Sequence, residues 1–337
     1  MIYHDIKISN TFSLEAVAAT YIEYGSVEEL RRDLPGAQEP FLHVGGGSNL
    51  LFATPRFEGT VFHNCDRSVD VIADEGDSVL VRAGGGLKWD RFVQWCVEQG
   101  YYGTENLSLI PGEVGAAAVQ NIGAYGAEVK DIIERVEAYD IIDGVEVSLG
   151  RDECNYAYRS SLFKSDAGRR YFVIAVVFCL SRQRRLNLSY GALKDIDGEK
   201  ATLKDVRDAI IAIRRDKLPD PEEIGSAGSF FMNPVVPVSQ YEALAEQYPD
   251  MPHYPAADGL VKLSAGWMID RCGLKGIACG HAGVYQKQAL VLVNLGGATS
   301  EEILALADEV INSVEKKFGV TLRPEVQIVK AKAPAQK

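Results

Sequence analysis

Three stretches of this chain combine residue types that bind ligands or move protons. The first is Gly45-Gly46-Gly47-Ser48-Asn49. Successive glycines let backbone N–H groups converge on an anion, a nest suited to phosphate. An ordinary loop at a strand end explains the same residues, and for this stretch alone that is the better reading. Two better-known phosphate patterns are missing: no third glycine completes GxGxxG, and no Gly-Lys-Ser/Thr forms a P-loop. A Rossmann nicotinamide domain is therefore not supported. The second stretch runs from Leu109-Ile110-Pro111-Gly112 through Gly115-Ala116-Ala117-Ala118-Val119-Gln120-Asn121-Ile122-Gly123-Ala124-Tyr125-Gly126. Small side chains over this length let a cofactor lie against the main chain, and Gln120 and Asn121 add polar contacts. Tight packing of a small-residue helix is the alternative. The density of Gly, Ala and amide groups favours the ligand surface. The third is Gly228-Ser229-Phe230-Phe231-Met232-Asn233-Pro234. A hydroxyl between a glycine and two aromatics suits a proton donor in a partly dry pocket. It is no hydrolase elbow, because GxSxG is absent. Most isolated serines do no chemistry, so this stretch by itself assigns none.

The elements that would position these stretches are legible in outline. Val27 to Leu34 reads as a short helix, and Phe41 to Val44 as a strand running into the first glycine loop. Strand-like runs follow at Thr60 to His63, Val69 to Ile72 and Ser78 to Ala83. Trp89 to Gln99 fits a helix with Trp89, Phe92, Val93 and Cys96 on one face and Gly100 as its stop. Strands resume at Ile132 to Tyr139 and Tyr171 to Leu180, and a helix spans Lys204 to Arg215. Lys217-Leu218-Pro219-Asp220-Pro221 reads as a linker, since neither proline continues a helix. Beyond it, Thr299 with Glu302 forms a capping box ahead of a helix that buries Ile303, Leu306, Ala307, Val310 and Val314 and stops at Gly319. Val320 to Val329 reads as a final strand that pairs back into an earlier part of the chain. The tail Ala331 to Lys337 reads as frayed.

Composition bounds the function. A chain of 337 residues favours two or three domains. Hydrophobic residues at 47% and charged residues at 24% suffice for ordinary globular cores. No apolar run approaches the roughly 20 residues of a membrane span. The N-terminal stretch lacks the basic-then-apolar order of a signal peptide, so a cytoplasmic location is expected. Cys65, Cys96, Cys154, Cys179, Cys272 and Cys279 include no CxxC pair, which argues against structural zinc, any other metal and a disulfide framework. A net charge of −12 argues against nucleic-acid binding through a broad basic surface. A local cluster of Arg and Lys can still hold a small anion.

Four segments taken together resemble the UDP-N-acetylenolpyruvoylglucosamine reductases: Gly45 to Asn49; Ile110-Pro111-Gly112 with Gln120 to Gly126; Tyr158-Arg159-Ser160-Ser161-Leu162-Phe163-Lys164; and Gly225 to Pro234. Lys217 to Pro221, Ala265-Gly266-Trp267-Met268-Ile269-Asp270 and Arg323-Pro324-Glu325-Val326 match as well. Each is weak alone, but they follow the family's order over nearly the whole chain. Tyr254 lies in a segment found in the longer (type I) form of the family.

The resemblance implies an α+β fold with a vanillyl-alcohol-oxidase-type FAD-binding region in two subdomains and a C-terminal α+β domain capping the substrate. The expected bounds are 1–66, joined by 320–337, then 67–218 and 219–319. It implies non-covalent FAD, since neither His43 nor Cys65 lies within Gly45 to Asn49. It implies NADPH and a UDP-sugar as the small-molecule partners, with no membrane insertion and no obligate protein partner. The implied reaction reduces an enolpyruvyl ether to a lactyl ether: hydride passes from NADPH through the flavin to the methylene carbon, and a proton goes to its neighbour. Arg159 would pair with the substrate carboxylate, gaining strength as charge builds there. Glu325 would help polarise that carboxylate, which needs a pKa raised by burial. Ser229 would donate the proton. Gly45, Gly46, Gly47, Ser48, Asn49, Ile110, Pro111, Gly112, Gly115, Gln120, Asn121, Ile122, Gly123 and Ala124 are the expected cofactor contacts. Tyr125, Tyr190, Lys217, Asn233 and Gln288 are the expected substrate contacts, with Tyr254 and Lys275 on a loop closing over it. Another flavin oxidase or dehydrogenase of the same fold would leave Arg159, Ser229 and Glu325 dispensable together. A non-catalytic sugar-nucleotide binding protein would be colourless.

Overall fold

The strand Tyr171–Ser181 is apolar at nearly every position, and most of it is buried. A strand covered on both faces reads this way, because neither side faces water. It is the middle of a five-stranded antiparallel sheet, with Ile133–Asp140 and then Val145–Gly150 on one side and Ser78–Gly84 and then Val69–Glu75 on the other. The helix Trp89–Gln99 covers one face with the predicted side chains, and Gly100 ends it at φ +74°. Phe92 packs against Phe178 with ring centroids 4.7 Å apart. Phe172 and Ile174, from the same strand, join Tyr24, Leu30 and Phe62 in a separate apolar cluster.

The computed structural model describes residues 1–330, with every side chain among them but that of Ala192. The tail expected to fray, 331–337, lies outside the described residues. The described chain is α+β and packs as two units. The first comprises residues 1–6, 18–47 and 58–214, and the second comprises residues 7–17, 48–57 and those from 215 onward. Besides the five-stranded sheet, the first unit carries most of a four-stranded sheet in the order Ile2–Lys7, Val17–Tyr24, Arg56–Asn64, Phe41–Val44. The last two strands run parallel.

The second unit has a four-stranded sheet in the order Gly225–Ser229, Val291–Asn294, Ala282–Val284, Ala278–Cys279. A three-stranded sheet follows the order Val235–Pro237, Leu260–Leu263, His253–Pro255. The helix Ser300–Phe318 is capped as predicted: Thr299 accepts from the Glu302 N–H, and the Glu302 side chain accepts from the Thr299 N–H.

The structure differs from the sequence-based expectation at the chain's end. Only Gln327–Val329 forms a strand, pairing parallel with Leu50–Phe52 inside the second unit. Val320 and Leu322 are buried in its core instead of lying in a ladder. The second unit also draws on a segment near the start of the chain. The Ser226 N–H donates to the Thr11 carbonyl at 2.8 Å, and Asn294 Nδ2 donates to that of Phe12 at 2.9 Å. A Cβ on Gly225 would come within 2.3 Å of the same Phe12 oxygen. Residues 7–17 are therefore built against the C-terminal half of the chain, a long-range pairing that no local pattern encodes.

Candidate active site

In the first unit the two glycine-rich stretches meet. A Cβ on Gly45 would lie 3.1 Å from Glu113 Oε2 and 3.2 Å from the Ala116 Cβ, and one on Gly46 would lie 3.9 Å from the Gly112 Cα. Gly47 at φ +68° and Gly112 at φ +116° turn the backbone in ways that other residues rarely adopt. The N–H groups of Gly45, Gly46 and Gly47 donate to no carbonyl among the described residues. Three successive main-chain donors thus lie beside a narrow glycine-lined approach.

A second run of three glycines, Gly84-Gly85-Gly86, serves packing instead. Its N–H groups go to the carbonyls of Ser68, Ile174 and Asp66. A Cβ on Gly86 would fall 2.1 Å from the Asn64 carbonyl oxygen.

The small-residue stretch divides between the two roles that the sequence left open. Val114–Gln120 is a helix with Val114, Gly115, Ala117 and Ala118 buried. The Gly115 N–H donates to the Gly85 carbonyl at 2.9 Å. Asn121 caps the helix in a left-handed turn. Its amide is held by the Ala157 carbonyl at 2.8 Å and the Lys130 N–H at 3.2 Å, so this side chain organises the loop. The main-chain groups of Ile122 are likewise used, donating to Ala117 and accepting from Val129.

Beyond it, Gly123–Ala124 pairs with Ala127–Glu128 around a two-residue turn. Tyr125 at φ +49° and Gly126 at φ +80° make that turn, both left-handed. Asn106 Nδ2 holds it by donating to the Tyr125 carbonyl at 2.8 Å, and Asn187 Nδ2 by donating to that of Gly126 at 2.9 Å. The Tyr125 ring meets Tyr190 edge-on, with centroids 5.7 Å apart. Burial raises the Tyr125 phenol's pKa.

The loop Leu109 to Gly112 is fixed by charged groups absent from the sequence-based set. The Leu109 N–H donates to Asp90 Oδ1 at 2.5 Å. Asp90 forms two hydrogen bonds with Arg207, at 2.7 and 2.8 Å. Arg214 Nε donates to the Leu109 carbonyl at 3.2 Å. Burial lowers the Arg214 guanidinium's pKa, with Tyr125 and Asp90 opposing. These residues stand far from the motifs in sequence, and nothing local distinguishes them from surface charges.

Arg159 lies at the tip of a hairpin closed by Ala157 and Ser160, with φ +54°. Its Nη2 donates to the Gly123 carbonyl at 2.7 Å. Lys164 Nζ donates to the Arg159 carbonyl at 2.9 Å and to Gln120 Oε1 at 3.2 Å. The second quoted segment thus supports the third.

Ser229, Glu325, Ser48 and Asn49 belong to the second unit. Ser229 ends the strand Gly225–Ser229 after a register shift that begins past Ser226, with Gly228 at φ +68°. Such a bulge re-aims the side chain that follows it. Phe230 and Phe231 are fully buried behind it. The Glu325 N–H donates to the Phe230 carbonyl at 2.7 Å, which sets Glu325 on the segment beside Ser229. Asn49 Nδ2 donates to the Glu325 carbonyl at 3.2 Å, and the Ser48 carbonyl accepts from Thr11 Oγ1 at 3.4 Å. The Glu325 side chain is half-buried.

Asn233 and Gln288 converge on the first turn of the helix Ala265–Arg271. Asn233 Oδ1 accepts from the Ala265 N–H at 3.0 Å, and a Cβ on Gly266 would lie 3.2 Å from Gln288 Oε1. Lys217 is exposed at the end of the helix Leu203–Lys217. Lys275 lies on a turn, 3.6 Å from Asp270. Tyr254 differs from expectation: it sits in the strand His253–Pro255 rather than on a loop, because it pairs in register with Lys262.

Two family profiles match the chain. That of the FAD binding domain covers residues 19–150, and that of the UDP-N-acetylenolpyruvoylglucosamine reductase C-terminal domain covers residues 220–329. A UDP-N-acetylenolpyruvoylglucosamine reductase of Bacteroides fragilis is 51% identical, over 95% of this chain and 97% of its own. One of Chromobacterium violaceum is 48% identical, over 96% and 97%. The crystal structure of the enzyme from Thermus caldophilus superposes with a TM-score of 0.66 at 23% identity, over 98% of both chains. That last likeness supports the fold alone, and the sequence identities support the lineage. The chain belongs to the UDP-N-acetylenolpyruvoylglucosamine reductase family.

Proposed function

We infer that this chain reduces the enolpyruvyl ether of a UDP-N-acetylglucosamine derivative to the lactyl ether of UDP-N-acetylmuramate, a step of peptidoglycan precursor synthesis. It is an FAD-dependent oxidoreductase that draws on NADPH. The observation that carries the reading is the glycine loop: three free N–H donors at Gly45 to Gly47, facing Gly112, inside the segment that matches the FAD-binding family. A diphosphate bound there would accept from these donors. Bound FAD supplies a two-electron relay between NADPH and the substrate's double bond.

The chain's own residues do the rest. Arg159 pairs with the substrate carboxylate, and the pairing strengthens as enolate-like charge develops there. Glu325 shares a proton with that carboxylate, the bound ligand completing the desolvation that a half-buried side chain lacks. Ser229 gives its hydroxyl proton to the carbon next to the one that receives hydride, a contribution of roughly 10²–10⁴-fold for a placed acid. Gly46, Gly47, Ile110, Pro111, Gly112 and Ala124 line the cofactor, while Asn49, Gln120, Asn121 and Ile122 hold the loops that do. Tyr125, Tyr190, Lys217, Asn233 and Gln288 bind the sugar nucleotide, with Tyr254 and Lys275 at its margin. No helix among the described residues is long and apolar enough to cross a membrane. Cytoplasmic residence is part of this proposal, because the reaction consumes NADPH.

Stopped-flow absorbance of Ser229→Ala separates the steps. NADPH should bleach the flavin at close to the native rate, and enolpyruvyl substrate should restore the colour orders of magnitude more slowly. Ser229→Cys should recover part of that rate, since a thiol can donate from nearly the same place. Unchanged reoxidation by substrate would remove Ser229 from the proton transfer.

A further inference from the structure

In the first unit a separate group of side chains has no part in the scheme above. Glu23, His63 and Cys65 each offer one ligand atom, and the three atoms lie within 4.8 Å of one another. Glu23 comes from the strand Val17–Tyr24, and His63 from its neighbour Arg56–Asn64. Cys65 follows that strand directly and is two residues from His63, so both side chains fall on one side. His63 Nδ1 is 3.8 Å from Cys65 Sγ and 3.9 Å from Glu23 Oε1. Ordinary tetrahedral zinc bonds to nitrogen, sulfur and oxygen space such atoms about 3.3–3.6 Å apart. The two pairs that share His63 therefore close on an ion with movements of a few tenths of an ångström, while Cys65 and Glu23 start within 4.8 Å of each other.

The orienting partners of such a site are also in place. His63 Nε2 lies 3.1 and 3.2 Å from the two carboxylate oxygens of Glu113, and in the neutral ring a proton on Nε2 leaves the Nδ1 lone pair toward Cys65 and Glu23. The Tyr3 hydroxyl donates to Glu23 Oε2 at 3.3 Å, leaving Oε1 for an ion. A carboxylate behind a ligating imidazole is the usual outer shell of a zinc-type centre. The three ligands are partly exposed, so an ion can enter from solvent.

We propose that Glu23, His63 and Cys65 bind a borderline-soft divalent ion of the zinc class, with a fourth position open to water. The thiol and imidazole select against calcium and magnesium, which take oxygen ligands. As the Sγ–metal bond forms, the Cys65 thiol releases its proton to solvent. Glu113 is then shared between the ion's outer shell and the glycine loop, since the same carboxylate abuts Gly45 and Gly46. Cysteine spacing gave no hint of this, because the ligands come from two paired strands rather than one motif.

The test uses the flavin-loaded protein, stripped with a chelator and titrated without oxygen with Co²⁺ as the probe. Tetrahedral cobalt absorbs in the red, beyond the bands of oxidised flavin. A saturable red band at one equivalent per chain is expected, displaced by Zn²⁺. Cys65→Ser and His63→Gln should weaken Co²⁺ binding by more than a hundredfold, and Glu113→Gln by roughly 10–100-fold. Cys279→Ser, at an exposed thiol, should leave it unchanged. Should Cys65→Ser fail to fold, the native protein still decides: Zn²⁺ should protect Cys65 but not Cys279 from alkylation, as read by peptide mass. No saturable band, a band that survives Cys65→Ser, or alkylation of Cys65 indifferent to Zn²⁺ would each overturn the site.

Discussion

Arg159 holds a left-handed backbone at φ +54°, a conformation that costs an L-residue with a Cβ about 1–2 kcal/mol. Strain of this kind persists where surrounding contacts fix it, and here the Gly123 carbonyl and Lys164 do so. The expectation is a trade between stability and activity. Arg159→Gly relieves the strain but forfeits the guanidinium, so its unfolding free energy should stay within about 1 kcal/mol of native. Its kcat/KM should fall about 10- to 100-fold or more, since a hydrogen bond to a charged partner contributes about 1.5–3 kcal/mol. Thermal melts paired with steady-state kinetics would show both, and a variant equally active would remove Arg159 from carboxylate binding. Arg159 is singled out in the sequence because it sits in an ordered motif. Asp90, Asn106, Arg207 and Arg214 are not, since each acts on a loop distant in sequence and its own neighbours carry no pattern.

At the scale of elements, local chemistry predicted well wherever one segment decides its own conformation. The helices Trp89–Gln99 and Ser300–Phe318 announced themselves through apolar spacing, a glycine stop and, for the second, a capping box. Glycine runs were harder, because composition does not say whether free N–H groups or close packing requires them. Substitution distinguishes the two. Gly45→Ala meets the Glu113 carboxylate at 3.1 Å, which can rotate away, and the Ala116 Cβ at 3.2 Å, which asks for a shift of a few tenths of an ångström, so the protein should fold yet purify with less flavin. Gly86→Ala meets the Asn64 carbonyl oxygen at 2.1 Å, where main chain must move, and should cost upward of about 3 kcal/mol. Soluble yield and flavin content per chain would report both, and equal behaviour of the two variants would contradict the distinction.

The loop clamp adds a pH dependence of definite sign. Burial pushes the Asp90 carboxyl upward, but hydrogen bonds from Arg207 and the Leu109 N–H, with the charges of Arg207 and Arg214, bring it net below its ordinary 3.8. A lowered folded-state pKa means stability fully present above 3.8 and lost as pH falls through the folded value. Asp90→Asn should therefore lose about 1.5–3 kcal/mol near neutrality. It should also show a shallower acid limb below pH 3.8 in chemical denaturation. An acid limb as steep as the native one would clear Asp90 of this role.

On the scale of the whole molecule, the class of fold followed from the ordered motifs. Residues 7–17 and 48–57 pack with the C-terminal half, through pairings such as Gln327–Val329 with Leu50–Phe52. Contacts between segments so far apart leave no trace in local periodicity. The claim that joins all scales is that one chain accepts hydride from NADPH and passes it to an enolpyruvyl sugar nucleotide. Anaerobic visible spectroscopy of the purified protein tests this most directly. The protein should be yellow, with FAD released on denaturation. NADPH alone should bleach it, and the enolpyruvyl substrate, added once the NADPH is consumed, should restore the oxidised spectrum with one equivalent of lactyl product per flavin. A colourless protein, or a reduced flavin that the sugar nucleotide leaves bleached, would contradict the account.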